Sequence, residues 1–395
     1  MRKTRIAILA SHPIQYATPF YAYLNRDPRF EVTALFCTDF SLRGAVDSGF
    51  GEVVVWNVDL LAGYNSVFLG QRARTRSLAG FWSLVCPELV FEIRSCRFDV
   101  LLIPGHQYAA CLLAFLVAKI KGVSVMTRCD TQLGLRRPWL KDHVRALTVR
   151  LQYLFVDRFL AIGTANREYY RAHGVSDSRI FVAPFCVDND RFIADSDAAS
   201  QNRPTYRSKL GIYDDRPVFL FVSKLQHRKH PDDLLMAAAG LAKKGFGVHV
   251  VIAGSGPMLG ELKALAASLR LSNVTFLGFV NQAELPGLYA ASDVFVFPSE
   301  EEPWGLVVNE AMCAALPIVV GRSVGCVPDL LREGTNGFAC TPGRPDTLEA
   351  ALELLANDSS LRREMGEESR RMISKWGYEE CKNGFLRAIE AFDSA

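Results

Sequence analysis

Glu302 and Glu310 stand eight residues apart in the stretch SEEEPWGLVVNEAMCAALPIVV, on either side of Trp304-Gly305. Two carboxylates so placed have three readings: an acid/base couple, two groups holding a ligand, or charges at a solvated helix start. Pro303 and Gly305 interrupt the chain ahead of an apolar run, so a helix is expected to begin near Leu306. Glu302 then precedes it and Glu310 lies one turn inside. The amides of Gly305, Leu306 and Val307 become anion donors at the helix start. Glu300 and Glu301 are adequately read as capping charges. Glu310 is different, because it lies between Val308 and an apolar run, where a carboxylate needs a partner.

Lys224 and Lys229, in KLQHRKHPDDLL, follow one apolar run and precede a helical pattern. Two cations beside helix amides suit a diphosphate, and the plain alternative is a pair of solvated loop lysines. His227, Arg228 and His230 add charge without metal-ligand spacing. Gly254-Ser255-Gly256 resembles the start of a dinucleotide fingerprint, but Gly260 falls one residue late for it. A turn beside a nucleotide is the better reading than a nicotinamide site. Asp188-Asn189-Asp190 has the form of a metal-binding DxD, yet it opens a polar stretch instead of ending a core strand, and reads as a turn with a helix cap. His12 in SHPIQYATP, His106 in PGHQY, and Arg128 and Asp130 in TRCDT sit at three further strand ends. His106 and Asp130 join Glu302 as catalytic candidates, and His12 and Arg128 are candidates for an acceptor or phosphate-binding loop.

The elements that must carry these groups are legible. RIAILA, EVTALF, DVLLIP, VSVMTR and RFLAIG read as strands in the first half, and VFLFVS, HVVIAG, NVTFLG, DVFVFP and PIVVG in the second. Helical patterns such as CLLAFLVAKIKG and PDDLLMAAAGLAKKG lie between them. Continuously apolar strands, each followed by a helix, imply parallel sheets covered on both faces. The polar run from Val187 to Tyr206 lacks a sustained period and reads as the break between domains. The expectation is an α/β protein of two Rossmann-like, doubly wound domains facing a central cleft, residues 1–190 and 207–375, with a linker at 191–206.

The chain of 395 residues is 49% hydrophobic and 22% charged, with a net charge of +3, which suits a folded protein and argues against nucleic acid as a partner. Ten scattered cysteines without CxxC or zinc spacing imply a reduced, cytoplasmic setting. The first apolar run, Ile6 to Ala10, is too short for a signal peptide and reads as a buried strand. Residues 136–155, RRPWLKDHVRALTVRLQYLF, form a basic amphipathic segment. It is read first as a helix covering the sheet and, alternatively, as a peripheral contact at the inner face of the membrane.

PSEEEPWGLVVNEAMCAALPIVV resembles the E-x7-E segment of the retaining glycosyltransferases of family 4, which have the GT-B fold. FVSKLQHRKHPDDLL, VIAGSGPM, VTFLGFVNQAELPGLYAASDVFVFPS and SVGCVPDLLREGTNGFACTPG are similar to other parts of that family's nucleotide domain. The likeness spans 215–395 and is looser before it, in AIGTANREYYRAHGV and VAPFCVDNDRF. Two features depart from the family: SHPIQYATP replaces a glycine pair, and Cys129 stands where many members have a histidine, whose role does not transfer.

The resemblance implies that Lys224 and Lys229 neutralise the donor diphosphate, that backbone near Phe279 and Val280 holds the base, and that Glu310 holds the ribose. It implies that Glu302 contacts the donor sugar, with the amides of Gly305, Leu306 and Val307 on sugar and phosphate. Residues 376–395 resemble the helix that crosses back to the N-terminal domain. The activity implied is retaining transfer from a nucleoside diphosphate sugar to a glycan or lipid-linked acceptor in polysaccharide or glycoconjugate assembly, with neither metal nor cofactor. A nucleotide-sugar epimerase on the same fold and a non-catalytic nucleotide-sugar-binding protein are the alternatives.

Overall fold

Runs of continuously apolar residues become strands buried on both faces, and the polar-to-apolar switches beside them become helix starts. A computed structural model describes residues 2–393 apart from 44–45, 48–51, 54–55, 70–77, 79, 106 and 135–138. The chain divides into two compact units, the first made of 1–45, 58–185 and 378–395, the second of 46–57 and 186–377.

The first unit holds β1 (Thr4–Ala10) and β2 (Phe30–Phe36), with an antiparallel pair of β3 (Val46–Asp47) and β4 (Glu52–Val53) grouped with the second unit. Its sheet continues with β5 (Asn65–Phe68), β6 (Val100–Ile103), β7 (Ser124–Thr127), β8 (Arg158–Ala161) and β9 (Ile180–Val182). These seven strands are parallel, in the order β5-β2-β1-β6-β7-β8-β9. The strand order therefore reverses between β1 and β6. The final helix, Tyr378–Asp393, packs on β8 and β9 of this unit, and Arg158 Nη2 donates to the carbonyl of Ala391 at 2.7 Å.

The second unit contains β10 (Val218–Val222), β11 (His249–Ala253), β12 (Val274–Gly278), β13 (Val294–Phe297), β14 (Ile318–Gly321) and β15 (Gly337–Cys340). They form a parallel sheet in the order β12-β11-β10-β13-β14-β15. Here the reversal falls between β10 and β13. All ten strands read from the sequence are present. The strands β5, β9 and β15 are not legible in the sequence, because each lies at a sheet edge, is only partly buried and lacks a sustained apolar run.

Two parallel, doubly wound sheets of this kind make up the GT-B fold class. The segment expected as a linker is instead helical, over Asn189–Ser200 and Arg203–Lys209. Arg203 and Arg207 pair with Asp293 at 2.8 and 3.3 Å, while Asn189 donates to the carbonyl of Ile373 at 2.8 Å. These tertiary partners stabilise helices that the local sequence does not announce. Asp188 caps the first of them by accepting from the amide of Arg191 at 3.1 Å, so the DxD stretch is a helix cap.

Candidate active site

In open α/β sheets ligands bind beyond the strand carboxyl ends where the strand order reverses. In the second unit that place is shared by the loops after β10 and β13. The first carries Lys224 and Lys229, the second Glu302.

The two loops are tied together through backbone. The carbonyl of Arg228 accepts from the amide of Glu300 at 2.9 Å and from Ser299 Oγ at 3.2 Å. Arg228 also donates through its guanidinium to the carbonyl of Glu301. Within this frame Lys229, only 4% exposed, makes a direct ion pair with Glu302, and its ammonium lies 5.0 Å from the Phe297 ring centroid. Burial pushes the Lys229 ammonium down to about 7, and the charges of Arg228 and Lys224 push in the same direction. Lys224 itself is half-buried on the same loop.

On its other side the Lys224 loop runs against the glycine turn. The amide of Ser223 donates to the carbonyl of Ala253 at 3.1 Å, and that of Leu225 to the carbonyl of Ser255 at 2.9 Å. A Cβ at Gly254 would lie 1.8 Å from the carbonyl oxygen of Ser223, and one at Gly256 2.5 Å from that of Leu225. Both glycines have positive φ, 147° and 153°. They are required because the lysine loop passes directly over them.

The carboxylate loop is equally fixed. Trp304 is buried, donates from Nε1 to Asn309 Oδ1 at 2.9 Å and stacks on Trp376 with centroids 5.7 Å apart. The amide of Gly325 donates to the carbonyl of Glu302 at 3.0 Å. Gly305, in the left-handed region at φ 96°, turns the chain into the helix Leu306–Cys313. Leu306 and Val307 are its first residues and are half-buried.

Glu310 has a different environment. It is 6% exposed and accepts a hydrogen bond from the Tyr289 hydroxyl at 2.8 Å. Burial pushes its carboxyl up to about 7, and the Tyr289 bond restrains that rise. The same surroundings push the Tyr289 hydroxyl well above its ordinary range. Tyr289 is the partner that the position of Glu310 demanded. Nothing in the sequence marked it, because the two residues belong to different helices. Phe279 and Val280 follow β12 directly and are half-buried, with the Phe279 ring 5.8 Å from Trp56.

His230, Asp232 and Asp233 bring potential ligand atoms within 4.8 Å of one another, which their spacing did not suggest. Asp233 Oδ2 is engaged by the amide of Gly343 at 2.7 Å.

In the first unit, His12 follows β1 with its Nδ1 3.0 Å from Ser11 Oγ. His106 lies outside the described residues. Arg128 follows β7 but is committed to its own unit: it donates to the carbonyl of Pro184 at 2.8 Å and lies 5.1 Å from the Phe185 ring centroid. Asp130 is exposed. Cys129 is buried, 3.2 Å from the Tyr170 hydroxyl, and burial pushes its thiol up, as expected of a core residue.

The two parallel α/β units have the GT-B fold, and the second places its lysine and carboxylate loops together at the strand-order reversal. Residues 202–372, within the second unit, match the family model described as glycosyl transferases group 1. Over 163 residues the chain is 35% identical to an uncharacterized glycosyltransferase of Methanocaldococcus jannaschii, covering 41% of each. Over 230 residues it is 31% identical to a GDP-mannose-dependent alpha-(1-6)-phosphatidylinositol monomannoside mannosyltransferase of Mycobacterium tuberculosis, covering 56% of this chain and 58% of that one. The chain thus spans about half the length of the curated relatives it matches. The structure of Anabaena Alr3699/HepE in complex with UDP shares the fold, with a TM-score of 0.76 over 99% of this chain and 100% of that chain, at 17% identity.

Proposed function

We propose that the protein is a retaining glycosyltransferase that moves a sugar from a nucleoside diphosphate sugar to a glycan or lipid-linked acceptor. The observation that carries this reading is the buried Lys229 paired with Glu302 at the strand-order reversal, immediately before a helix start. Cation, carboxylate and helix amides together suit a group that is both an anion and a sugar.

In this reading Lys224, Lys229 and the amides of Gly305, Leu306 and Val307 hold the diphosphate. Glu310 takes the ribose hydroxyls, and the backbone at Phe279 and Val280 takes the base. Glu302 holds hydroxyls of the donor sugar. The bond from the anomeric carbon to the diphosphate oxygen breaks while the acceptor oxygen adds on the same face. The acceptor proton passes to the departing diphosphate, so the protein supplies no general base. Its contribution is positioning, together with charge stabilisation of the leaving group by cations and amides. No metal is needed for that charge balance. The two glutamates act as ligand contacts and not as a glycosidase-like couple.

The first test is a thermal-shift panel of UDP, GDP, ADP, CDP and dTDP, with and without EDTA. The GDP-mannose dependence of one relative and the UDP bound in the Anabaena structure make GDP and UDP the leading members. A nucleotide at about 100 times its dissociation constant should add about 2.7 kcal/mol of stability. One clear winner, indifferent to EDTA, supports the reading and names the base. No response to any of them removes it.

A further inference from the structure

Three helices of the first unit, Glu88–Ser95, Ala109–Lys121 and Trp139–Tyr153, cover one face of its sheet. Their inward residues, among them Ile93, Phe115 and Val149, join one core cluster with Leu101, Val125 and Phe159 of β6, β7 and β8. Glu88–Ser95 packs on Ala109–Lys121, and right-handed crossovers through the adjacent strands β6, β7 and β8 set Ala109–Lys121 beside Trp139–Tyr153, so these helices share an outer surface.

That surface is apolar where a solvated helix would be polar. Leu112, Leu116 and Ile120 recur every four residues and are all exposed, Ile120 by 81%. On the next helix Leu147 and Leu151 repeat the pattern, and Leu154 follows just beyond its end at 75% exposure. Phe91, on the helix Glu88–Ser95, is exposed as well. Isolated exposed leucines are ordinary, but stripes on neighbouring helices call for a partner.

Charge selects the partner. The helices Glu88–Ser95, Ala109–Lys121 and Trp139–Tyr153 contain six lysines and arginines, two glutamates and one aspartate, a surplus of three, and Lys119 is paired with Asp157 at 2.6 Å. Lys121 and Arg150 are exposed on the two striped helices. A second copy of the same face would bring like charges together. Nucleic acid would engage the cations and leave the leucines wet. An anionic bilayer accepts both, with apolar side chains entering the interface and cations meeting the headgroups.

We propose that this outer face of the first unit docks on an anionic membrane surface. No described helix is long and apolar enough to cross a bilayer, so the contact lies in the plane of the interface. The proposal extends beyond 136–155 to the Leu112, Leu116 and Ile120 stripe, and it does not depend on the donor site.

The test is flotation of the full chain with vesicles of phosphatidylcholine, alone or with about 30% phosphatidylglycerol. The expected result is flotation with the anionic vesicles only, reversed by salt near 0.5 M, roughly where screening shortens to a few ångströms. The combined variant Ile120→Ser, Leu151→Ser, Leu154→Ser changes exposed positions, so its melting temperature should stay near that of the parent. It should lower vesicle affinity about tenfold or more, the scale for removing several buried aliphatic groups. Failure of the parent protein to bind anionic vesicles overturns the proposal, as does undiminished binding by the variant. A concentration-dependent dimer that the variant abolishes also overturns it, by assigning the face to a second copy.

Discussion

Lys229 and Glu302 form a direct ion pair although they lie on loops that follow different strands, β10 and β13. The two strands are neighbours only because the order of the sheet reverses between them. Lys229 is buried and Glu302 half-buried, so holding the pair costs desolvation free energy and is sensitive to loss of either member. Such a pair is a costly way to stabilise a loop. Its position at the reversal, where a ligand anion and ligand hydroxyls would meet the two charges, gives it a use.

Replacing Glu302 by Gln keeps the shape and removes the charge. If Glu302 holds the donor sugar, transfer should fall by about a hundredfold or more, the scale for losing a preorganised electrostatic contact. The circular dichroism spectrum should be retained. Near-normal turnover would take Glu302 out of the site.

Lys229→Ala should weaken nucleoside diphosphate binding by about 1–3 kcal/mol, the range for a lost charge-assisted hydrogen bond. Isothermal titration of the free nucleotide separates this from any loss of stability in the unliganded protein. An unchanged dissociation constant would remove Lys229 from the diphosphate site.

Glu310 titrates near 7 in the fold against 4.5 for an ordinary glutamate. Its pKa is raised, so its contribution to stability is fully present below about pH 4.5 and is lost as pH rises through 7. Glu310→Gln keeps an acceptor for the Tyr289 hydroxyl and cannot titrate. The stability of the parent minus that of the variant should therefore fall by up to about 3 kcal/mol between pH 4.5 and 8. Urea unfolding at several pH values measures it, and a flat difference would mean that the carboxylate is solvated in the fold.

Gly254→Ala places a methyl group against the carbonyl of Ser223. The Lys224 loop must move, so stability should fall by about 2–4 kcal/mol and nucleotide affinity should fall with it. A glycine that served only as a flexible turn would show neither effect, and unfolding with parallel nucleotide titration distinguishes the two.

The amino-acid sequence determined the elements and their succession. Long apolar runs such as VFLFV and HVVIA have no stable place except inside a parallel sheet, and Pro303 with Gly305 sets the helix start at Leu306. Glu302 before that helix and Glu310 within it follow from local chemistry alone, as does the cap at Asp188. Tertiary structure decided the partners. Glu310 meets Tyr289 from another helix, Lys229 meets Glu302 through the order of strands, and Gly254 is needed because a neighbouring loop passes over it. Residues 189–209, polar and without period, are helical because Arg203, Arg207 and Asn189 find Asp293 and the carbonyl of Ile373. Period and propensity act over a few residues and can be read along the chain. Burial and pairing between distant segments exist only once the sheet has brought those segments together.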